Sequence, residues 1–263
     1  MSQPLIIGHR GAAAVAPENT RAAFALALAD GADGFEFDVR LARDGVPVVI
    51  HDATLRRTAL RDGEVARMSS AELQQVDVGT WFNVRYPHLA RSEFADSRVL
   101  TLAEVFEVFG GSCRALYVEI KCDLDDAHAH AAEVVRTVRA HALVDRVVVE
   151  SFTLDAIREV KRLAPEIRTA ALFERRLARP FPSRRRIIAQ AVACGADELA
   201  LHFSLVAPGL IRAAIDAGLR TLVWTVDDPS WMKRAANLKL HALITNYPAA
   251  MRVALGSSGL LTD

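Results

Sequence analysis

The sequence has few cysteines, and their arrangement carries no recognisable signature. Its 263 residues include only Cys113, Cys122 and Cys194, which show neither paired motifs nor the density of a disulfide scaffold. We therefore predict a reducing compartment, in which the three thiols are small buried side chains.

The sequence also lacks an excess of either charge and any long apolar run. Lys and Arg number 32, as do Asp and Glu, so the formal net charge is zero. A nucleic-acid-binding role is not expected, and an anionic ligand would have to be attracted locally. No apolar run approaches the roughly 18 residues that span a bilayer. The start, Met1-Ser2-Gln3-Pro4, has no signal-like segment. We expect a cytoplasmic protein without an integral membrane segment, and its oligomeric state stays open.

Short apolar runs alternate with segments of helical periodicity along most of the chain. Runs such as Val147-Val148-Val149 are apolar on both faces, as expected of parallel strands that are covered on both sides. The alternation predicts an α/β fold, a TIM-type (β/α)₈ barrel that forms a single domain over residues 1–263. Nine strand-like runs are present. One of them must be auxiliary, and the pattern does not identify it.

The alternation is interrupted once, over approximately residues 52–98. This stretch is rich in Arg and in turn residues, and we interpret it as an insertion on the barrel. Its aromatic residues Trp81, Phe82 and Tyr86 would form either a small core of the insertion or a lid over the substrate. The tail after Leu255 is expected to be mobile.

Charged residues recur in pairs near the ends of the predicted strands. Glu36 and Asp38 are two apart, so both side chains leave one face of a strand, about 6.6 Å apart at their α-carbons. Glu119 and Lys121 have the same relation. Three carboxylates from two strands suit a hard divalent cation, Mg²⁺ or Ca²⁺, better than zinc. Ordinary ion pairs at strand ends would account for the same spacing.

Two histidines, His9 and His51, also end predicted strands. Each alone could be an ordinary surface or core residue, but beside a carboxylate cluster they could form an acid/base pair. Arg10 and Lys121 add positive charge that can bind phosphate oxygens. A hard metal, two histidines and two cations together indicate a phosphodiester substrate.

These motifs resemble the glycerophosphodiester phosphodiesterase family. The likeness rests on an ordered series that covers nearly the whole chain: Gly8-His9-Arg10-Gly11, Pro17-Glu18-Asn19-Thr20, Glu36-Phe37-Asp38-Val39, Asp44-Gly45, His51-Asp52, Val118-Glu119-Ile120-Lys121, Ser151-Phe152 and Val223-Trp224-Thr225-Val226. The chain departs from the family pattern at Ala59-Leu60-Arg61-Asp62 and at Asp227, where Asn is common.

The resemblance implies a role for each matching residue. Glu36, Asp38 and Glu119 would be metal ligands, and His9 and His51 the general acid/base pair. Arg10 and Lys121 would be the phosphate cations, and Trp224 would line the substrate pocket. The implied reaction is metal-dependent hydrolysis of a small glycerophosphodiester to sn-glycerol 3-phosphate and an alcohol.

The resemblance also implies a route, in which the glycerol 2-hydroxyl attacks phosphorus and a cyclic phosphate forms. Direct attack by water is also compatible with these residues, and they do not show which histidine acts first as base. The alternatives are a lysophospholipid-directed phosphodiesterase and a non-catalytic barrel that binds a phosphorylated ligand. No carboxylate or histidine of the motifs is missing, which disfavours the last of these.

Other charged residues attract attention but are given lesser roles. His128 and His130 lie on a predicted helix and are expected on its solvated surface. His202 ends a strand and could reach the pocket. A cluster of arginines is interpreted as a solvated loop and helix start, with attraction of an anionic substrate as the alternative; its members are Arg175, Arg176, Arg179, Arg184, Arg185 and Arg186.

Overall fold

Nine strands form one sheet in the computed structural model, which describes residues 3–175 and 183–257. They are β1 Leu5–His9, β2 Gly34–Leu41, β3 Pro47–Val49, β4 Ala115–Ile120, β5 Val147–Ser151, β6 Arg168–Phe173, β7 Glu198–His202, β8 Arg220–Trp224 and β9 Ala242–Thr245. Every strand except β3 pairs in parallel, and β1 pairs with both β2 and β9, which closes the ring. The predicted (β/α)₈ barrel is confirmed.

The auxiliary strand is β3, which pairs antiparallel with β2 through Val39 and Val49. Asp44 and Gly45 form the turn between the two strands, and Gly45 has a φ of 78°, a value that glycine adopts without strain. A parallel pair would need a long crossover connection, whereas this short turn permits only a hairpin. The turn therefore decides which of the nine runs stays outside the barrel.

Helices cover the outside of the barrel. In the described ranges, one helix follows each of β1 and β4 to β9, and four helices follow the β2–β3 hairpin. The helices are α1 Arg21–Ala29, α2 Arg56–Ala59, α3 Ser70–Leu73, α4 Thr80–Arg85, α5 Leu102–Phe109, α6 Ala127–Ala140, α7 Leu154–Leu163, α8 Arg184–Ala193, α9 Pro208–Asp216, α10 Trp231–Leu238 and α11 Pro248–Ser257. Of these, α2, α3 and α4 lie in the segment predicted as an insertion, together with 3₁₀ turns at Val65–Arg67, Pro87–Leu89 and Ser92–Asp96. In the described ranges, no helix is both long and apolar enough to cross a membrane.

Apolar side chains fill both faces of the barrel wall. Outside it, Phe24 of α1 stacks on Phe35 of β2 with ring centroids 4.2 Å apart. Inside it, Ile7, Tyr117 and Leu222 are buried in a separate cluster that reaches Trp224 at its edge. The interior of the barrel therefore contains a packed apolar layer.

One prediction outside the site was wrong. His130 is buried rather than solvated, because its Nε2 accepts a hydrogen bond from Leu41 N at 3.3 Å across the α6–β2 contact. His128 is exposed, as expected, and pairs with Glu159. Of the tail after Leu255, which was predicted to be mobile, Gly256 and Ser257 belong to α11. The remaining residues of the tail lie outside the described ranges.

Candidate active site

Three carboxylates converge inside the barrel near the C-terminal ends of β2 and β4. Asp38 lies opposite Glu119 in the strand pairing, and Glu36 precedes Asp38 by two residues on the same face. All three side chains are buried, and one oxygen of each lies within 4.8 Å of the others. This is the end of a barrel at which α/β enzymes hold their catalytic residues.

Two cations and an amide surround Asp38, which is fully buried. Arg10 Nε lies 3.0 Å from Asp38 Oδ2, and Lys121 Nζ lies 3.2 Å from Asp38 Oδ1. Asn19 Nδ2 donates a hydrogen bond to Asp38 Oδ2 at 2.8 Å. Burial alone would raise the pKa of Asp38, but the charges of Arg10 and Lys121 bring it below its ordinary value. Asp38 is therefore an ionised anchor for both cations.

Neighbouring cations stabilise the ionised forms of Glu36 and Glu119 less fully than that of Asp38. Burial and the neighbouring Asp38 raise the pKa of Glu36 well above its ordinary value. Burial raises the pKa of Glu119 to about 7, although Lys121 Nζ lies 2.6 Å from its Oε1 and opposes the shift. Glu36 Oε1 is buried and accepts no hydrogen bond from the described residues. The cluster thus holds more carboxylate than its two cations neutralise, which is the condition that a bound divalent cation would relieve.

His9 is held by an amide. Its Nδ1 lies 2.8 Å from Asn246 Oδ1, while Asn246 Nδ2 donates to Asp227 Oδ2 at 2.8 Å. That second bond fixes the orientation of the amide, so His9 Nδ1 carries the proton and donates it. His9 Nε2 is then free to accept a proton, 3.9 Å from Glu36 Oε2. Burial, with the nearby charge of Arg10, lowers the pKa of His9 to about 4.

His51 is held by a carboxylate. Its Nδ1 donates to Asp52 Oδ1 at 2.6 Å, and Asp52 Oδ2 accepts from Arg57 Nε at 2.7 Å. Burial opposes ionisation of Asp52, yet the hydrogen bonds from Arg57 and His51 lower its pKa to about 2. Burial also lowers the pKa of His51. In both histidines, the hydrogen bond donated by Nδ1 fixes the orientation of the imidazole ring.

Glu18 joins the two sides of the site. It accepts bonds of 2.7 and 2.8 Å from Arg57 Nη1 and Nη2, and a bond of 2.8 Å from Arg10 Nη1. Glu18 and Asp52 stand inside the quoted motifs, but their positions in the motifs did not reveal these bonds. Arg57 and Asn246 were not predicted as site residues. The position of Asn246 directly after β9 was the one available signal for it.

The predicted residues meet at one cavity of about 150 Å³. Apart from Asp38, which lies behind the cations, all of them line it: His9, Arg10, Glu36, His51, Glu119, Lys121 and Trp224. His202 packs against Trp224, with ring centroids 5.1 Å apart, at the edge of the site.

Comparison with known proteins identifies the family. The sequence model of the glycerophosphoryl diester phosphodiesterase family matches residues 9–250. The chain belongs to this family. It is 31% identical to the glycerophosphodiester phosphodiesterase of Caldanaerobacter subterraneus over 94% of this chain and 96% of that protein. The predicted enzyme class, a glycerophosphodiester phosphodiesterase, is confirmed by these matches.

Solved structures of relatives superimpose over almost the whole chain. A phosphodiesterase from Oleispira antarctica, solved in complex with the product sn-glycerol-3-phosphate, has a TM-score of 0.83 at 29% identity and covers 97% of both chains. The glycerophosphodiester phosphodiesterase of Agrobacterium tumefaciens has a TM-score of 0.78 at 30% identity, with 95% of this chain and 99% of that one covered.

A wider groove of about 750 Å³ opens beside the cavity of the phosphodiesterase and shares His9 and Arg10 with it. Trp81 and Tyr86 line this groove, whereas Phe82 is fully buried between them and Phe94. The aromatic patch is therefore both a small core and one wall of the groove.

No described member of the predicted arginine cluster lines this groove. Arg184 and Arg185 line a separate groove between α8 and α9, and Arg186 is an exposed residue of α8. Arg175 is also exposed, whereas Arg176 and Arg179 lie outside the described residues.

The raised pKa of Glu119 predicts how the stability of the metal-free enzyme changes with pH. Between the ordinary value of 4.5 and about 7, the unfolded chain has released this proton and the folded chain has not. The free energy of unfolding should therefore fall as pH rises through this window. Glu119→Gln removes the titration, so the variant should lose less stability than the wild type between about pH 5 and pH 7.5.

Urea unfolding in EDTA at several pH values measures this difference. Glu93→Gln, at an exposed carboxylate, is the matched control and should follow the wild type. An equal or steeper decline in Glu119→Gln would show that the buried carboxyl does not titrate in this window.

Proposed function

We propose that this phosphodiesterase hydrolyses small glycerophosphodiesters to sn-glycerol 3-phosphate and an alcohol. Glu36, Asp38 and Glu119 would hold a divalent cation, and His9 and His51 would act as the acid/base pair. The proposal is carried by the convergence of the three buried carboxylates at a cavity that both imidazoles, Glu36 and Glu119 line. The product bound to the Oleispira antarctica relative supports the identity of the product.

The chemistry of the ligand set fits a hard cation. All the converging ligand atoms are carboxylate oxygens, which Mg²⁺ and Ca²⁺ both accept. The buried, unpartnered Glu36 Oε1 is an acceptor that such an ion would satisfy. When bound, the cation would supply positive charge to the phosphate oxygens and lower the pKa of a hydroxyl beside it.

The residues of the chain would position the phosphate. Arg10 and Lys121 line the cavity, and their contacts with Asp38 hold both side chains in place before substrate enters. Cations fixed in this way can stabilise charge on the phosphate in the transition state without rearrangement. Trp224 and Phe152, in edge contact with ring centroids 5.4 Å apart, would bound the cavity on its apolar side.

The two histidines would carry out the proton transfers. As the 2-hydroxyl of the glycerol moiety attacks phosphorus, one imidazole Nε2 accepts the hydroxyl proton and the other imidazole donates a proton to the departing alcohol. Water then opens the cyclic phosphate with these roles reversed, and both histidines return to their starting state. His9 Nδ1 donates to Asn246 and His51 Nδ1 donates to Asp52, which leaves both Nε2 atoms available for these transfers.

We further propose that the segment 52–98 belongs to the same catalytic domain. Arg57 of this segment binds Asp52 and Glu18, and through them it supports His51 and Arg10. The segment also supplies Leu60 and Val84 to the groove, where both are exposed. These apolar side chains favour lysophospholipids as a second candidate class of substrate.

Metal dependence is the first expected outcome. EDTA-stripped enzyme should release sn-glycerol 3-phosphate from glycerophosphocholine only after Mg²⁺ or Ca²⁺ is added. Glu36→Ala should show no such restoration, while Glu133→Ala, on the outer face of α6, should behave as wild type. Full activity in EDTA would contradict a metal-dependent reaction. Activity restored only on a lysophospholipid would move the substrate to the second class.

Loss of either histidine should abolish most of the turnover. Replacing His9 or His51 with Ala should lower kcat at least about a hundredfold, because a positioned acid or base is worth that much. His128→Ala, at an exposed imidazole on α6, is the control and should keep wild-type kcat. Steady-state kinetics of the three variants decide the question, and near-normal kcat in both His9→Ala and His51→Ala would end the acid/base assignment.

A further inference from the structure

A fourth carboxyl, Glu150, faces the interior of the barrel beside the cluster of three carboxylates. It lies on β5, where it pairs in register with Glu119 of β4, and its side chain lines the same 150 Å³ cavity. Only 1% of the residue is exposed. None of the roles proposed above uses it.

The contacts of Glu150 within the described residues do not explain why a carboxyl group is buried at this position. Its Oε2 is buried and has no hydrogen-bond partner among the described residues, and the same is true of Trp224 Nε1 on the same cavity. Buried polar atoms are rarely left without partners, because burial removes their hydrogen bonds to water. Glu198, another buried carboxyl of the interior, shows the contrast: it accepts a bond from Tyr117 and pairs with Arg220 at 2.7 Å.

The two cations of the cavity are already engaged. Lys121 contacts Asp38 and Glu119, and Arg10 contacts Asp38 and Glu18. The apolar part of the lining is formed by Phe152, Leu172 and Ile244, together with the ring of Trp224. Glu150 and Trp224 Nε1 therefore offer an acceptor and a donor on one cavity, and neither atom is used by the phosphate cations.

We propose that Glu150 binds the terminal hydroxyl of the glycerol moiety, with Trp224 Nε1 donating to the oxygen of that hydroxyl. The inference rests on the proposed function, in which the phosphate and the 2-hydroxyl are bound by other groups and the terminal hydroxyl is the polar group that is left. A hydroxyl donates one hydrogen bond and accepts others, so it can satisfy both orphan atoms at once. Glu150 is then a specificity-determining residue for glycerol.

A pair of substrates tests this assignment. The first is glycerophosphocholine, and the second is the phosphocholine diester of propane-1,2-diol, which keeps the 2-hydroxyl and lacks the terminal one. Wild-type enzyme should prefer the first about ten- to a hundredfold in kcat/KM, because the second leaves buried polar groups unpaired. Glu150→Leu should reduce this preference to within about threefold by losing activity on glycerophosphocholine alone. Glu150→Gln should keep most of the preference, because an amide also accepts and donates.

Two further measurements separate this role from a structural one. Glu150→Leu should unfold at the same temperature as the wild type or a higher one, since it replaces an unpartnered buried carboxyl with an apolar side chain. Glu198→Gln, the matched change at a partnered interior carboxyl, should keep the substrate preference.

The outcomes distinguish this inference from the function it rests on. An equal loss on both substrates in Glu150→Leu, or no preference in the wild type, would overturn the role of Glu150 while leaving the hydrolysis intact. Wild-type enzyme that releases no sn-glycerol 3-phosphate with either cation would overturn the proposed function and this inference with it.

Discussion

The charge on Asp38 is the constraint on which the rest of the site depends. A fully buried carboxylate is tolerated only when it is paired and hydrogen-bonded, because an unpaired buried charge costs several kcal/mol. Arg10, Lys121 and Asn19 meet this requirement from the loop after β1 and from the end of β4. The contacts that make the buried anion tolerable also place two cations at the mouth of the barrel. In the proposed function, the two cations that stabilise the buried anion also bind the phosphate.

Beyond this anchor, two buried carboxyl groups of the site are less fully stabilised by neighbouring cations. Glu36 and Glu119 have pKa values raised by burial. Fixing such groups before substrate arrives is how an enzyme avoids rearrangement during the reaction. The two histidines are fixed by different partners, a neutral amide for His9 and a carboxylate for His51. This asymmetry gives the two imidazoles different environments within one cavity.

Local spacing predicted most of the barrel and the positions of several charged side chains on its strands. Side chains two apart on a strand share a face, so the joint inward orientation of Glu36 and Asp38 followed from sequence alone. Partners brought together by tertiary folding could not be found in this way. Asn246 lies 237 residues from His9, and Arg57 lies 39 residues from Glu18. The burial of His130 was missed for the same reason, because its contact is with another element.

The most direct test of the central claim is a crystal structure of the enzyme grown with Mn²⁺, a hard divalent cation that scatters anomalously. The account predicts an anomalous peak among the carboxylates of Glu36, Asp38 and Glu119, and no such peak in Glu36→Ala crystals grown in the same way. An empty cluster in fully active wild-type crystals, or a peak confined to another part of the molecule, would contradict it.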